Sequence, residues 1–424
     1  MANTNITRTP SSTGNRKTFT FSTWFKKTST GAIGNLFSQY AGSGSGADKH
    51  FRVRFNTNDT IGVAAFSTDV LVTNRVFRDT SAWYHLTLAV DTTQATDSNR
   101  VKLYINGTQE TSFSSTSYPS QNYDYAVNTA SYPIRIGADD SDGNGPYGWF
   151  NGIMAHVHLT DGTAYAASTF GETDSTSGIW KPKTAPSVTY GTNGFFLKFE
   201  NSGNLDLDSS GNSRSFSTSG TLTQNVDTPT NNFATGNPIH VDGTGVSEFI
   251  NGNLTHTNNV SAVSSLAINK GKWYMEFKRQ DNGGSITNWM YCGFVKADRT
   301  GLRLYRSSNG DYYNGSAYSS YGASWGDGDI VGIALDYDND TIEFYKNGLS
   351  QGSKTSIGIC NGDFVLPIWQ CSKSSGSPYF HANFGQGYFG TTAVASANAD
   401  ANGHGAMENA VPSVKCAWVI KPLK

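Results

Sequence analysis

LTLAVDTTQATDSNRVKLYINGTQE at residues 86–110 and VGIALDYDNDTIEFYKNGLSQ at residues 331–351 have the same structural pattern. Each opens with an alternating apolar run that ends in an aspartate, Asp91 or Asp336. A polar turn and a second alternating run follow, and then an Asn-Gly pair, Asn106-Gly107 or Asn347-Gly348. Period-two alternation closed by Asn-Gly predicts antiparallel strands with one buried face, because both residues of a tight hairpin turn need positive φ. Val90 and Leu335 should therefore lie in central strands, each paired with the strand that follows. Trp83, Leu103, Trp273 and Phe344 fall on the inward phase of their strands.

Working outward, strand-like text recurs through Phe19–Phe25, His50–Phe55, Ile61–Phe66, Pro133–Gly137 and Ile153–Leu159. It resumes in Gly271–Lys278, Met290–Val295, Phe364–Gln370 and Tyr379–Phe384. Between these blocks lies a turn-rich stretch with one convincing strand, Gly194–Phe199, and an extended piece containing Pro229 and Pro238. The division predicted is 1–180, a connector 181–240, 241–390 and an extension 391–424. The Ala- and Asn-rich part of that extension could form a short helix, weakened by Gly403 and Gly405. Val414–Ile420 should add to a sheet edge or pack against the connector.

Composition agrees with an all-β chain. Glycine supplies 46 of 424 residues, above the typical ~7%. Few strong helix formers accompany it, and 24 Phe, 21 Tyr and 9 Trp supply the buried area of real cores. Only 15% of residues are charged and the net charge is −2, which leaves no electrostatic footprint for nucleic acid or an anionic membrane. No apolar run is long enough for membrane insertion, and the polar N-terminus has no core of a secretory signal. Cys292, Cys360, Cys371 and Cys416 lack metal-type spacing and read as buried thiols, with a single disulfide as the alternative.

TRTPSSTGNRKTFTFSTWFKK, Trp83-Tyr84-His85 and Leu103-Tyr104-Ile105-Asn106-Gly107 resemble a laminin-G-like, concanavalin A-like jelly roll. Gly271-Lys272-Trp273-Tyr274-Met275-Glu276, Gly328-Asp329-Ile330-Val331-Gly332 and Asn383-Phe384-Gly385-Gln386 resemble a SPRY domain. The fold class implied is all-β, two concanavalin A-like antiparallel β-sandwiches. The connector GTNGFFLKFENSGNLDLDSSGNSRSF is similar to that of structural proteins of tailed bacteriophages, particularly marine ones. The resemblance implies a virion surface protein made in the host cytoplasm, such as a tail fibre or other adhesin. Its partners would be other virion proteins and a host glycan or receptor. It equally permits a capsid decoration or head-fibre protein, and it implies no activity. The extension 391–424 departs from chains of that kind, which end soon after the Asn-Phe-Gly-Gln strand.

No nucleophile elbow, His-Glu-x-x-His or phosphate loop is present, so an enzyme is not expected. A polysaccharide-active enzyme or accessory module would need a carboxylate pair about 5–10 Å apart across a cleft. No cofactor is expected, and calcium is the one metal with a case. Asp140, Asp142 and Asn144 match the first half of a calcium loop, but Asn151 stands where a bidentate Glu belongs, and a plain turn is the alternative. Alternation in Met154–Leu159 points Ala155, Val157 and Leu159 inward and His156 and His158 outward. The stretch 304–325 sets Tyr305, Tyr312, Tyr313, Tyr318, Tyr321 and Trp325 among Ser, Asn and Gly. That composition suits a recognition loop on which sugar rings stack, with Arg303 and Arg306 nearby for an anionic glycan. The alternative is that half of these rings fill a core. No heptads specify a homo-oligomer, which stays open.

Overall fold

The computed structural model describes residues 3–42, 46, 48–140, 145–224, 226–239, 249–257, 261–282, 290–371, 378–400, 403–412, 416–417 and 419–420. They form two compact units, the first ending at Gln224 and the second running from there to Ile420. The division falls inside the 181–240 stretch. The only helices among the described residues are two three-residue 3-10 turns, Asp97–Asn99 and Ala167–Thr169.

The two repeated hairpins form as their sequence requires. Asn106 and Gly107 have φ of 49° and 82°, and Asn347 and Gly348 have 49° and 81°. In both, the Asn side-chain oxygen also accepts a backbone N–H where the preceding strand begins, from His85 at 2.7 Å and from Ile330 at 2.8 Å. The Tyr84–Asp91 strand lies between Thr18–Lys27 and Val101–Ile105, and Ile330–Asp336 lies between Lys272–Gln280 and Thr341–Lys346. Both strands are central.

In the first unit an eight-stranded sheet runs Phe113–Thr116, Thr68–Val76, Thr60–Ala65, His50–Phe55, Gly34–Tyr40, Ile134–Ile136, Asn5–Arg8, Ser217–Ser219. A six-stranded sheet runs Phe195–Leu197, Gly152–Asp161, Thr18–Lys27, Tyr84–Asp91, Val101–Ile105, Thr108–Gln109. Alternate residues of both, including Phe21, Leu88, Leu103 and Val157 against Phe37, Phe51, Val63 and Leu71, share one core. This is a sandwich. The connector strand read at Gly194–Phe199 is Phe195–Leu197, the edge of the six-stranded sheet.

The second unit repeats the plan. One sheet runs Phe249–Ile250, Thr255–His256, Tyr379–Asn383, Lys272–Gln280, Ile330–Asp336, Thr341–Lys346, Leu349–Thr355. The other runs Ser261–Val263, Val365–Gln370, Tyr291–Lys296, Arg303–Arg306, Asp311–Tyr313, Tyr318–Ser320. Met275, Phe277, Ile333 and Phe344 meet Phe294, Tyr305, Tyr312 and Trp369 between them. The end of the chain does both things expected of it. Cys416–Ala417 lies parallel to Trp273 and Tyr274, the one parallel pairing among the named strands of the described residues. Val419–Ile420 pairs with Asn232–Phe233. The described part of 393–410 holds turns and isolated bridges instead of a helix.

Phe344 and Leu103 are fully buried, as their phase requires. Trp273 and Trp83 are only half-buried, against expectation. Each stands at the start of its run; Trp273 packs against the margin of the core, and its indole N–H donates to the Lys270 carbonyl at 2.7 Å. Cys292, Cys360 and Cys371 are free thiols.

Candidate functional site

The tyrosine-rich stretch folds as three consecutive antiparallel strands at one margin of the second unit's six-stranded sheet. Strand alternation then sorts its rings. Tyr305 and Tyr312 point inward, 0% and 5% exposed, and pack on Phe344 at 5.2 and 6.4 Å. The Tyr305 hydroxyl donates to the Ala323 carbonyl. These two rings are core residues and cannot meet a ligand at the surface, which corrects the expectation for both. Tyr321 is half-buried; its hydroxyl donates to the Gly352 carbonyl and accepts the Phe344 N–H at 3.2 Å. It closes the margin where the two sheets approach.

Tyr313 and Tyr318 remain. They face each other across adjacent strands on the outer side of the sheet, ring centroids 4.8 Å apart. Tyr318 is 41% exposed, and the Arg306 guanidinium lies 5.0 Å above its ring. Tyr313 is backed by an apolar outer face of Val263, Tyr291, Val295, Leu304 and Ile368, which holds it in place. Arg303 is spent on backbone carbonyls, donating to Ile357 at 2.6 Å and Leu302 at 2.9 Å, so Arg306 is the cation of this patch. Two aromatic faces beside a stacked guanidinium offer ring stacking and one charge-assisted donor set, which is the chemistry of sugar or anion recognition.

The calcium reading fares differently. Asp140 lies against Arg135 at 2.6 Å, so a guanidinium already neutralises its carboxylate. Asp142 and Asn144 lie outside the described residues. Neighbouring Asp139 is buried against His50 at 2.7 Å, Arg52 at 3.4 Å and the Tyr147 hydroxyl at 2.9 Å. The described residues include no group of three His, Cys, Asp or Glu able to hold a metal ion.

The histidines of the Gly152–Asp161 strand are corrected as well. Val157 and Leu159 do enter the core. A register shift between Ala155 and His158, with His156 at φ 49°, breaks the alternation. His158 points away from the core yet is 1% exposed, because residues 165–196 cover that side of the sheet. It stacks on Phe196 at 3.8 Å, and its Nδ1 pairs with the Tyr190 hydroxyl at 2.9 Å. Burial holds its pKa well below the usual histidine value.

His85 shares that covered face and sits 2.8 Å from Ser22 Oγ through Nε2, the spacing of a nucleophile and base. Its Nδ1, however, accepts the Trp180 indole N–H at 3.0 Å. An indole nitrogen only donates, so Nε2 carries the proton and donates to Ser22. Burial pushes the His85 pKa down to about 3. The pair has the wrong tautomer and basicity to activate the serine. A cleft of about 240 Å³ in the first unit is lined by Asn3, Thr4, Ile33, Gly148, Trp149, Phe150 and Asn151, and so supplies no acid or base.

Comparison with known proteins agrees with these two architectures. Residues 2–169 match the family described as the concanavalin A-like lectin/glucanases superfamily. Residues 273–381 match the SPRY domain. The chain carries one domain of each kind. A stretch of 101 residues is 31% identical to the E3 ubiquitin-protein ligase RKP of Arabidopsis thaliana, covering 22% of this chain and 8% of that protein. The chain therefore spans under a tenth of that relative's length. Among solved structures, the SPRY domain of human HERC1 is 19% identical, with 35% of this chain and 96% of that one covered and a TM-score of 0.29. A heptameric SAP-like pentraxin from Limulus polyphemus is 15% identical, with 46% and 88% covered and a TM-score of 0.31.

Proposed function

We propose that this is a non-enzymatic surface-recognition protein, displayed on a phage virion, that binds host surface glycans through the Tyr313, Tyr318 and Arg306 patch of its SPRY domain. The observation that carries the reading is that patch: two outward rings fixed by strand pairing, with a guanidinium stacked beside them. Its virion setting rests on the connector's similarity to phage structural proteins. Recognition residues on a rigid scaffold need no catalytic group, and the nucleophile–base spacing of Ser22 and His85 is in the inactive tautomer.

Replacing Tyr313 and Tyr318 together with Ala tests the site. Each lost stacking contact is worth about 1 kcal/mol, roughly fivefold in affinity. Attachment to host cells or purified surface glycan should weaken accordingly. Tyr318→Ala alone should leave the urea midpoint nearly unchanged because it removes a surface ring, whereas loss of the half-buried Tyr313 lowers it modestly. Undiminished binding by the double variant would discard this patch. Wild-type protein that ignores host surfaces but co-purifies with capsids would replace attachment by a decoration role.

A further inference from the structure

The outer face of the sheet around Lys272–Gln280 holds a second built site, apart from the aromatic patch. Glu276 is 0% exposed there. Its carboxylate accepts the backbone N–H of Glu408 at 2.8 Å, the N–H of Asn409 at 2.9 Å and the Asn409 side-chain amide at 2.9 Å. Tyr274 donates its hydroxyl at 3.3 Å. Gly332 faces Glu276 across the strand pair, and a Cβ there would overlap that hydroxyl. Beside the carboxylate, the Met407 side chain is fully buried against Tyr274 and Ala334. Ala406 completes the docking, bridging Gln386 in parallel while its carbonyl accepts the Asn383 amide at 2.9 Å.

These contacts are those of a receptor with a short extended peptide: main-chain hydrogen bonds, one apolar anchor and one side-chain amide. We infer that the Glu276 niche is a peptide-recognition site, filled in cis by residues 406–409 and open to the same segment supplied by a second copy of the chain. Two features favour exchange. Without the segment, the carboxylate loses three of its four donors and keeps only the Tyr274 hydroxyl, so an emptied niche strongly favours a replacement. The stretch leading into it, residues 391–399, is made of small residues and is exposed except at Val394 and Asn398. Gly403 and Gly405, at φ of 74° and 77°, then supply turns that residues with a Cβ resist. The Ala395 N–H donates to the Glu408 carboxylate at 2.6 Å and the Asn398 amide to the Glu408 carbonyl at 2.9 Å, so lead and strap form one unit. Exchange between protomers carries both, together with the paired Cys416–Ala417 and Val419–Ile420 that follow.

Complementary variants test this in full-length protein. Met407→Ser leaves an intact niche with a weak strap; Glu276→Gln leaves an intact strap with a faulty niche. Each alone should sediment as it does unmixed, and a mixture should yield a 1:1 complex containing both. Fluorescent peptide GHGAMENAVP, residues 403–412, should bind the Met407→Ser chain saturably. Adding Glu276→Gln should cut that affinity at least about tenfold, as expected for a charge-assisted acceptor. Two natively folded variants that neither associate nor bind the peptide would overturn the inference. So would peptide binding indifferent to Glu276. Should Met407→Ser fail to fold, Asn409→Ala loosens the same strap by a single amide and takes its place.

Discussion

Taking the protein from pH 7 to pH 5 should remove at least about 4 kcal/mol of stability from the first unit, about 2 kcal/mol for each of two fully buried histidines. His156, whose pKa burial also lowers, adds in the same direction. His85 and His158 are both held neutral by burial, His85 with its pKa down to about 3 and His158 well below its ordinary value. In the unfolded chain both titrate near the usual ~6.5. Below that value the unfolded state binds protons that the folded state refuses, so the stabilisation present at neutral pH is lost as pH falls. For His85 the loss continues until its folded value is reached. Carboxylates do not contribute in this window, because those held low in the fold are ionised in both states down to about pH 5. Urea unfolding at pH 7, 6 and 5 measures the slope. His158→Phe should lose about 1 kcal/mol at pH 7 with the Tyr190 hydrogen bond, yet flatten the acid slope by one proton. An unchanged slope in that variant would remove His158 from the account.

The second unit should respond less steeply. Among its described residues His381 is pushed down to about 4 by burial and by Lys278. Glu276 works in the opposite direction: burial raises its pKa, so the fold takes up that proton before the unfolded chain does. Stability gained there as pH falls through the raised value offsets part of the loss at His381.

Which residues would be buried was legible wherever a residue's fate depends on its own strand. Asn106-Gly107 and Asn347-Gly348 declare their turns locally, and Leu88, Leu103, Ile333 and Phe344 declare their faces by alternation. The tyrosine stretch was legible as aromatic and polar. Sorting it needed the pairing register, since Tyr312 and Tyr313 are neighbours in sequence and fall on opposite faces. His85, His158 and Glu276 were misread or unseen for a different reason. All three point away from the main cores and look solvent-facing in any period-two reading, yet segments distant in sequence return over them. Trp180 reaches His85 across 95 positions, and Asn409 reaches Glu276 across 133. One local signal did exist, the turn residues and lone aromatics of 165–196, which make sense as a cover only once the bare sheet face is known. Asp59 was hidden likewise, as one more polar residue in the Asn58-Asp59 turn.

Asp59→Ala should destabilise the first unit by about 3–5 kcal/mol, although it deletes only a carboxylate from a turn. Asp59 is 3% exposed and holds Lys27 at 2.8 Å, the Gly31 N–H at 2.9 Å and Arg78 at 3.1 Å. Burial would raise its pKa, but the hydrogen bonds from Lys27 and Gly31 outweigh that and hold it below the ordinary value. Lys27 is pushed down by burial, only partly compensated by Asp59, and its ammonium also donates to the Phe77 carbonyl and lies 4.4 Å over the Phe55 ring. Burial dominates in the single variant, because removing Asp59 leaves that ammonium enclosed with one carbonyl and one ring. Most of the loss is then the cost of an unpaired buried cation, not the worth of the pair. Combining Asp59→Ala with Lys27→Met removes the orphan and should restore most of the stability, since apolar replacement of buried pairs is often neutral or better. Urea midpoints of the two single variants and the double variant decide it. A double variant as unstable as the sum of its parents would mean that Asp59 acts mainly by fixing the loop at Gly31 and Arg78, and not by neutralising Lys27.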